Sequence, residues 1–568
     1  MQRSLSQLAD REFDVLVIGG GAFGAAAAWD ASLRGLSVAL IEQEDFGAGA
    51  SAECFKFVHG GIRYLQHGNV KRLRASARER SALLRIAPHL VQPMPVVVPT
   101  FGHGRNGKAF LGAGMRVYDL LTMGRNAGIR DATRHIPATQ FLSRSEVLNL
   151  FPEVDRPGLT GGAVFADGQM YSPPRLVLAL VQSAAARGAC VANYVQAVEF
   201  LWEGARVCGV RARDRAPGAG DGLEIRARLV LNAAGPWAEY LLADRERFGA
   251  HERGHFSRDA CFIVRRPPHT HYALAIPGQS RDRDTLVARE ARHLFAVPWR
   301  DYTLIGVWHR LFAERPDRAI VEDAEIATWI AEMNASCPAL ALQREEVSYA
   351  CCGLVPFGAA ASASELSFGK ESRFIDHRAV HGIAGLVTLI GIRYTTARAD
   401  AASALDLLLK QWSGAPLARS STEYTPLHGG AISDVAALQA ELASANSAVP
   451  TRTLTALVRN HGTEAHELLR RARGGADAEF APALVDGSDT LVAEVEHAVE
   501  KEMALRLSDV ILRRTDLGSG AHPGRAALRA AAASMAAALG WSAARLDGEV
   551  TATQGVLAHH HALEANPV

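Results

Sequence analysis

Cysteine is scarce in this chain: only 7 of its 568 residues are cysteine, and none of them stands in a CxxC spacing. Zinc sites and disulfide frameworks both require clustered or regularly spaced cysteines. The sequence therefore argues against both, and we expect no metal centre. The adjacent histidines at 559–561 resemble a metal-binding tract, but we interpret them as a solvated tail.

Long apolar runs are also missing. No stretch of 18 apolar residues is present, so no transmembrane helix is predicted, and the first residues, MQRSLSQLADREFD, lack the apolar core of a secretion signal. The 61 basic and 60 acidic residues nearly cancel, which argues against a nucleic-acid partner. We expect a globular enzyme in the cytoplasm, or peripheral on the cytoplasmic face of the inner membrane, that acts on a small molecule.

The balanced total hides one basic segment. Between Gly60 and His135 there are thirteen lysines and arginines against three acids. Such a segment can face anionic lipid, attract an anionic substrate, or form an ordinary solvated helix face. The sequence leaves these three interpretations open.

What the sequence does contain begins with a glycine-rich turn. The apolar run Val15–Ile18 leads into Gly19, Gly21 and Gly24, and an Ala-rich helix and a second strand follow, ending at Glu42. In such a unit the glycines allow a tight turn, close approach of a pyrophosphate and close packing of helix on sheet, and the terminal acid binds a ribose hydroxyl. The pattern predicts a dinucleotide site without distinguishing FAD from NAD.

The remaining pattern predicts an α/β fold with two additional regions. Alternating strands from about residue 256 are typical of an antiparallel sheet that faces a ligand, and the chain returns to the dinucleotide fold at 385–393. From residue 451 the periodicity is helical, with 491–512 as one amphipathic helix, which fits a packing, membrane or subunit role, including a homodimer. The predicted domains are a dinucleotide-binding domain at 1–255 and 385–425, a β-rich cap at 256–384, a linker at 426–447 and a helical domain at 448–568.

Several segments in this order resemble the FAD-dependent (aerobic-type) glycerol-3-phosphate dehydrogenase family. They include VIGGGAFGA, KFVHGGIRYL, LNAAGPW, VPWRDYTLIG, GIRYTTAR and EKEMALRLSDVILRRTDLG. The resemblance implies a Rossmann-like FAD-binding domain, an inserted antiparallel β substrate cap and a C-terminal helical domain. It also implies that sn-glycerol 3-phosphate is oxidised to dihydroxyacetone phosphate by hydride transfer to flavin N5, and that the electrons pass to a membrane quinone.

This resemblance assigns roles to particular residues. Loss of hydride from an alcohol requires a base within about 3 Å of its hydroxyl, for which we select His59, and a phosphate dianion is best bound by guanidinium groups, for which we select Arg63 and Arg393. The predicted FAD-binding residues are Gly19, Gly21, Gly24, Glu42, Gly235, Gly391 and Thr395. The predicted substrate-binding residues are Arg63, Tyr64, Arg344, Trp308, His309 and Arg393.

The chain departs from the family pattern around the expected substrate. Val355 stands where the family usually has an arginine, Trp308 and His309 replace a threonine–aspartate pair, and Phe23 replaces a small residue in the first turn. These changes keep a second hypothesis open, an FAD-dependent oxidase or dehydrogenase of a different hydroxy acid, alcohol or amine. A third hypothesis is a non-catalytic flavin-binding protein.

Overall fold

The computed structural model describes residues 1–102, 107–154, 157–218, 220, 222–249, 255–281, 291–356, 371–473 and 483–564. Arg105 of the basic segment lies outside them. The strands are β1 (Glu12–Ile18), β2 (Val38–Ile41), β3 (Phe57–Val58), β4 (Val91–Phe101), β5 (Gln140–Ser143), β6 (Leu159–Met170), β7 (Cys190–Ala192), β8 (Val195–Glu203), β9 (Arg206–Asp214), β10 (Leu223–Asn232), β11 (Phe256–Val264), β12 (Ala273–Arg281), β13 (Ala291–Trp299), β14 (Tyr302–Phe312), β15 (Val347–Pro356), β16 (Arg373–Asp376) and β17 (Leu386–Ile390).

The α-helices alternate with these strands and then dominate the last quarter of the chain. They are α1 (Leu5–Ala9), α2 (Ala22–Leu33), α3 (Arg63–Gln66), α4 (Val70–Ile86), α5 (Lys108–Leu121), α6 (Arg144–Leu150), α7 (Pro173–Ala185), α8 (Arg245–Phe248), α9 (Asp323–Ser336), α10 (His377–His381), α11 (Ala397–Leu408), α12 (Val435–Ala445), α13 (Thr451–His461), α14 (Ala465–Ala472), α15 (Val492–Glu502), α16 (Leu507–Asp509), α17 (Arg525–Leu539) and α18 (Ala543–His559). None of the helices described here combines the length and apolar character needed to cross a bilayer.

The first sheet is the predicted dinucleotide-binding unit. Its strand order is β16-β17-β10-β1-β2-β7, and β1, β2, β7, β10 and β17 run parallel. All four residues of β2 are buried, as expected for a parallel strand covered on both faces. Helices α2, α7 and α11 pack against the sheet, so the α/β prediction for this part of the fold is confirmed.

The second sheet is larger than the predicted cap. Its order is β15-β11-β14-β13-β12-β4-β6-β3, with β5 on β6, so strands from residues 57–170 complete the sheet that the prediction confined to 256–384. It is also not wholly antiparallel, because β12 pairs in parallel with β4 at Ala273 and Val96. The four early strands, β3 to β6, lie far from the cap in sequence, and their apolar pattern alone does not reveal which sheet they join.

The helical C-terminal region differs from the prediction in two places. Helix α12 lies inside the predicted linker, where Val435 and Leu442 are buried in the same apolar cluster as α13 and α14. The predicted helix 491–512 is broken, because Met503 adopts a left-handed conformation (φ 57°) that ends α15. A short turn, α16, then leads into a π-helical segment, Val510–Arg514.

Buried ion pairs join this region to the dinucleotide-binding domain. Arg514 donates two hydrogen bonds of 2.7 Å to the Asp45 carboxylate, and Arg513 donates another of 2.7 Å. Arg175 on α7 likewise contacts both oxygens of Glu502 at 2.7 and 2.8 Å. Because both pairs are buried, loss of one partner would leave an unpaired charge in the protein interior.

Candidate functional site

One large cavity, of about 1330 Å³, lies where the two sheets meet. The first sheet contributes the glycine turn, the second contributes β11 and β15, and the C-terminal region contributes Arg513. Most predicted site residues line it, namely Gly19, Gly21, Glu42, His59, Arg63, Tyr64, Gly235, His309, Gly391 and Arg393. The topology therefore brings together residues that are more than 370 positions apart in the sequence.

The glycine turn has no room for a side chain at Gly19 or Gly24. Gly19 has a φ of 103°, which only glycine adopts easily, and a Cβ on Gly24 would lie 1.8 Å from the Gly19 carbonyl oxygen. Gly21 is the N-cap of α2, and it lines the cavity. A helix N-terminus that opens into a cavity through glycine is a favourable place for a pyrophosphate. The turn thus fits a dinucleotide on geometric grounds.

Glu42 lies at the end of β2, beside the turn. Its carboxylate accepts hydrogen bonds from the backbone N–H groups of Gly20 at 2.7 Å and Glu44 at 2.9 Å. Desolvation nevertheless raises the pKa of Glu42 to about 7, because the two backbone hydrogen bonds only partly offset it. A hydroxyl donor such as a ribose would find an acceptor here whose charge changes near neutral pH.

His59 is held from two sides. Its Nδ1 lies 3.2 Å from a carboxylate oxygen of Asp167, and its backbone N–H donates to the hydroxyl of Thr395 at 2.9 Å. A carboxylate can only accept, so Asp167 fixes the proton on Nδ1 and leaves Nε2 as the basic nitrogen. The ring remains 57% exposed toward the cavity, so it is free to meet a ligand.

Asp167, which the prediction did not select, is the residue that orients the His59 ring. Its carboxylate also accepts from the backbone N–H of Gly60 at 2.6 Å and from the buried Arg80 at 3.2 Å. Burial alone would raise the pKa of Asp167, but His59 and Arg80 bring that pKa below its usual value. The signal in the sequence was its place in a tight Asp-Gly-Gln segment, which the structure extends as part of β6.

The hydrogen bond between His59 and Thr395 is one link between the segments 59–64 and 393–395, and a second link joins the same segments. Arg393 donates from Nη1 to the hydroxyl of Tyr64 at 3.0 Å and to Ser76 at 2.9 Å. Thr395 is buried and does not line the cavity, and its contact with the His59 backbone N–H makes it a positioning residue for His59. The base and the cation are therefore fixed relative to each other.

Two predicted substrate residues lie elsewhere. Trp308 is stacked between Phe262 and Trp329, with centroid distances of 5.5 and 4.9 Å, in the core beneath the cap sheet. Arg344 does not line the cavity and pairs with Asp323 at 2.5 Å near the surface. The structure therefore places neither side chain at the cavity, because β14 turns Trp308 into the core and Asp323 lies within ion-pair distance of Arg344.

Other departures from the family pattern do reach the cavity. His309 lines it and contacts Asp259 at 2.8 Å, and Val355 also lines it. Phe23 covers Gly391, where a Cβ would meet its ring at 2.1 Å. The aromatic residue in the first turn is therefore accommodated by glycine on the returning strand segment.

The C-terminal histidines are not a solvated tail. His559 and His560 line the cavity, and the His560 ring stacks on Tyr349 at 4.8 Å. The backbone N–H of Ala350 donates to the His560 carbonyl oxygen at 2.7 Å. This contact was not predictable from the sequence, because nothing near residue 560 indicates that α18 returns to the cap sheet.

One group among the described residues has ligand atoms close enough for a metal ion. It comprises His461, His497 and Glu502, whose ligand atoms lie within 4.8 Å of one another. Arg175 already donates to Glu502 and, at 3.0 Å, to Nδ1 of His461. The Arg175 guanidinium thus occupies the place that a metal ion would take. The group is part of the Arg175–Glu502 contact between the dinucleotide-binding domain and the C-terminal region.

Comparison with known proteins places the chain in a family. Residues 14–393 match the model of FAD dependent oxidoreductases, and residues 420–546 match the C-terminal domain of alpha-glycerophosphate oxidase. Glycerol-3-phosphate dehydrogenase 2 of Mycobacterium tuberculosis is 30% identical, over 96% of this chain and 88% of its own length. The chain belongs to the FAD-dependent glycerol-3-phosphate dehydrogenase family.

Other members of the glycerol-3-phosphate dehydrogenase family align with almost the whole length of this chain. The glycerol-3-phosphate dehydrogenase of Synechocystis is 28% identical over 96% of this chain and 97% of its own length. The solved structure of the Bacillus halodurans glycerol-3-phosphate dehydrogenase with FAD has a TM-score of 0.74, at 22% identity, and covers 99% of this chain and 98% of its own. The predicted fold is confirmed, and so is the predicted cofactor, FAD. The glycine turn and Glu42 have the geometry that would fit this cofactor.

Proposed function

We propose that this protein oxidises the secondary alcohol of sn-glycerol 3-phosphate to dihydroxyacetone phosphate. The observation that carries the proposal is the double link between the two cavity segments, His59 to Thr395 and Tyr64 to Arg393. It fixes a base and a guanidinium beside each other, as a phosphorylated alcohol requires. The curated relatives with this name support the same substrate.

The chain's own residues perform the proton and charge steps. His59 accepts the hydroxyl proton at Nε2 while the Asp167 carboxylate stabilises the resulting imidazolium through Nδ1–H. Arg393 and Arg63 bind the phosphate, and the apolar cap strands restrict the access of water. Bound FAD supplies the hydride acceptor.

A membrane quinone as the electron acceptor, and a membrane location, are parts of the same proposal. Helix α5 and the residues after it expose four large apolar side chains: Phe110, Val117, Leu120 and Met123, with exposures of 44, 45, 61 and 74%. The exposed Arg116 lies between them in sequence. An apolar helix face with basic residues fits the surface of an anionic bilayer, in which a quinone is dissolved. The predicted homodimer and cytoplasmic location stay predictions.

A second candidate function is supported by one observation. Val355 lines the cavity where the family usually has an arginine, and an apolar side chain cannot bind a phosphate oxygen. A smaller anion, such as the carboxylate of a hydroxy acid, would need fewer guanidinium groups. This alternative uses the same base and the same cofactor.

Anaerobic reduction of the bound flavin separates these functions. We expect the oxidised flavin absorbance to bleach on addition of sn-glycerol 3-phosphate at millimolar concentration. A panel of 2-hydroxy acids and amines serves as the comparison. Bleaching by a member of that panel, with none by sn-glycerol 3-phosphate, would overturn the proposal in favour of the second candidate.

A further inference from the structure

A second arginine lies against the same tyrosine as Arg393. The guanidinium carbon of Arg72 is 4.6 Å from the centroid of the Tyr64 ring, and that of Arg393 is 5.2 Å from it. All three side chains line the cavity. Two guanidinium groups are thus held close together by one aromatic ring at the edge of the substrate space.

The charge on Arg72 is not neutralised within the described part of the chain. No ion pair between Arg72 and a carboxylate is found among the described residues, and the Nε of Arg72 is buried without a hydrogen-bond partner. Glu371 acts on it electrostatically without forming an ion pair. Burial, together with the charge of Arg393, lowers the pKa of Arg72. Such an arrangement is unfavourable in the free protein and becomes favourable when an anion binds.

The local backbone also holds Arg72 in place. Asn69 caps α4 by accepting a hydrogen bond of 3.0 Å from the backbone N–H of Arg72. Arg72 therefore belongs to the first turn of a 17-residue helix, where the helix dipole disfavours a cation and favours an anion. A cation retained at this position has a cost to folding that an anionic ligand would offset.

We infer that Arg72 supplies a third guanidinium, besides those of Arg63 and Arg393, for the anionic end of the substrate, in place of the arginine that Val355 replaces. This inference rests on the proposed function and deepens it, because it names the residue that restores phosphate binding. Arg72 is a specificity-determining residue rather than a catalytic one, since His59 carries the proton chemistry. The substrate class that it selects is a phosphorylated alcohol.

The first experiment compares Arg72→Met with wild type and with Arg74→Met, an exposed arginine of the same helix that does not line the cavity. We expect KM for sn-glycerol 3-phosphate to rise about 10- to 150-fold in Arg72→Met, as for a lost hydrogen bond to a charged group. Flavin reduction by uncharged glycerol should keep its rate. Arg74→Met should match wild type with both substrates.

A second measurement does not depend on turnover. Inorganic phosphate is titrated into each FAD-loaded protein, and binding is followed by the perturbation of the flavin absorbance. We expect Arg72→Met to bind phosphate about 10- to 150-fold more weakly than wild type. Equal phosphate affinity in the two proteins, or an equal loss of activity with glycerol and with sn-glycerol 3-phosphate, would overturn the inference. Failure of wild type itself to be reduced by sn-glycerol 3-phosphate would instead contradict the proposed function.

The Val355→Arg substitution in the Arg72→Met background tests whether Arg72 takes over the role of the family arginine that Val355 replaces. If both positions serve the same anion, the second substitution should recover at least about tenfold of the lost phosphate affinity. A double variant that retains FAD but binds phosphate no better than Arg72→Met would contradict the replacement.

Discussion

Asp45 and Arg514 are 469 positions apart in the chain and are joined by two hydrogen bonds of 2.7 Å in the protein interior. Asp45 lies in the loop that follows β2, and Arg514 belongs to the C-terminal region. The pair therefore connects the loop beside the cofactor turn to the helical domain. Stability of the helical domain and binding of FAD should be coupled through it.

Removing one partner of this pair should destabilise the protein strongly. Arg514→Met leaves Asp45 with Arg513 as its remaining arginine partner, and we expect a loss of about 3–5 kcal/mol in the free energy of unfolding. Denaturant unfolding of the FAD-loaded protein measures it. Arg529→Met, at an exposed pair with Asp547, is the control and should change stability by less than about 0.5 kcal/mol. Similar losses in both variants would contradict a special role for the buried pair.

The same pair predicts a direction for acid unfolding. Burial tends to raise the pKa of Asp45, but Arg514 and Arg513 lower it to about 2, below the usual value near 4. A carboxyl group with a lowered pKa in the folded state stabilises the fold above its unfolded pKa. That contribution is lost as the pH falls from about 4 to about 2. In Asp45→Asn, the stability should therefore depend less steeply on pH within this window.

Glu42 should make the affinity for FAD depend on pH near neutrality, in contrast to the acidic range in which Asp45 acts. Its pKa of about 7 means that the carboxylate which would accept a ribose hydroxyl is largely protonated below neutral pH. We expect the Kd of the apoprotein for FAD to fall as the pH rises from 6 to 8, by at most about tenfold per pH unit. Fluorescence titration measures this Kd. Glu42→Gln should bind more weakly with a flat profile, and a flat wild-type profile would exclude this role for Glu42.

Catalysis should depend on His59 and, less strongly, on Asp167. His59→Ala removes the base, and the rate of anaerobic flavin reduction by the best substrate should fall about 10²- to 10⁴-fold. Because the His59 ring is 57% exposed, its removal should leave FAD content and thermal stability near those of wild type. Asp167→Asn should reduce the rate by freeing the ring to adopt the other tautomer. Unchanged reduction by His59→Ala would refute the assignment.

The apolar face of α5 predicts binding to anionic vesicles. Leu120→Glu combined with Met123→Glu places two negative charges on the most exposed part of that face and should abolish co-sedimentation with phosphatidylglycerol-containing vesicles at low salt. Val380→Glu, at an exposed apolar residue of α10, is the matched control and should sediment like wild type. Wild type that stays in the supernatant would contradict the membrane proposal. Turnover with a soluble electron acceptor should be the same in all three proteins.

The sequence predicts those parts of the site whose residues lie close together along the chain. Gly19 to Glu42 form one contiguous unit, and His59 and Tyr64 belong to one recognisable segment, so their spacing carries the required geometry. The core position of Trp308 could not be predicted, because the face of a strand that is buried depends on the elements that pack against it. Arg72 escaped notice because its relation to Tyr64 and Arg393 depends on the turn before α4 and on a segment more than 300 residues later.

The extent of the second sheet could not be predicted for a similar reason. Strands β4 and β6 have apolar patterns that would suit either sheet, and the parallel contact between β4 and β12 requires a long connection that leaves no local signal. The helix break at Met503 could not be predicted from the sequence either, since methionine is a good helix former. Its left-handed backbone is set by the packing around it. Tertiary contacts override the local pattern at both places.

The packing of His560 on Tyr349 has a consequence for the order in which the protein matures. The cavity wall includes the glycine turn near residue 20 and the histidine at residue 560, so it is complete only after nearly the whole chain has been synthesised. At the pace of translation, about 5–20 residues per second, the glycine turn precedes that histidine by roughly half a minute or more. During this interval the nascent site is open on one side, and firm retention of FAD should follow, rather than accompany, synthesis of the dinucleotide-binding domain.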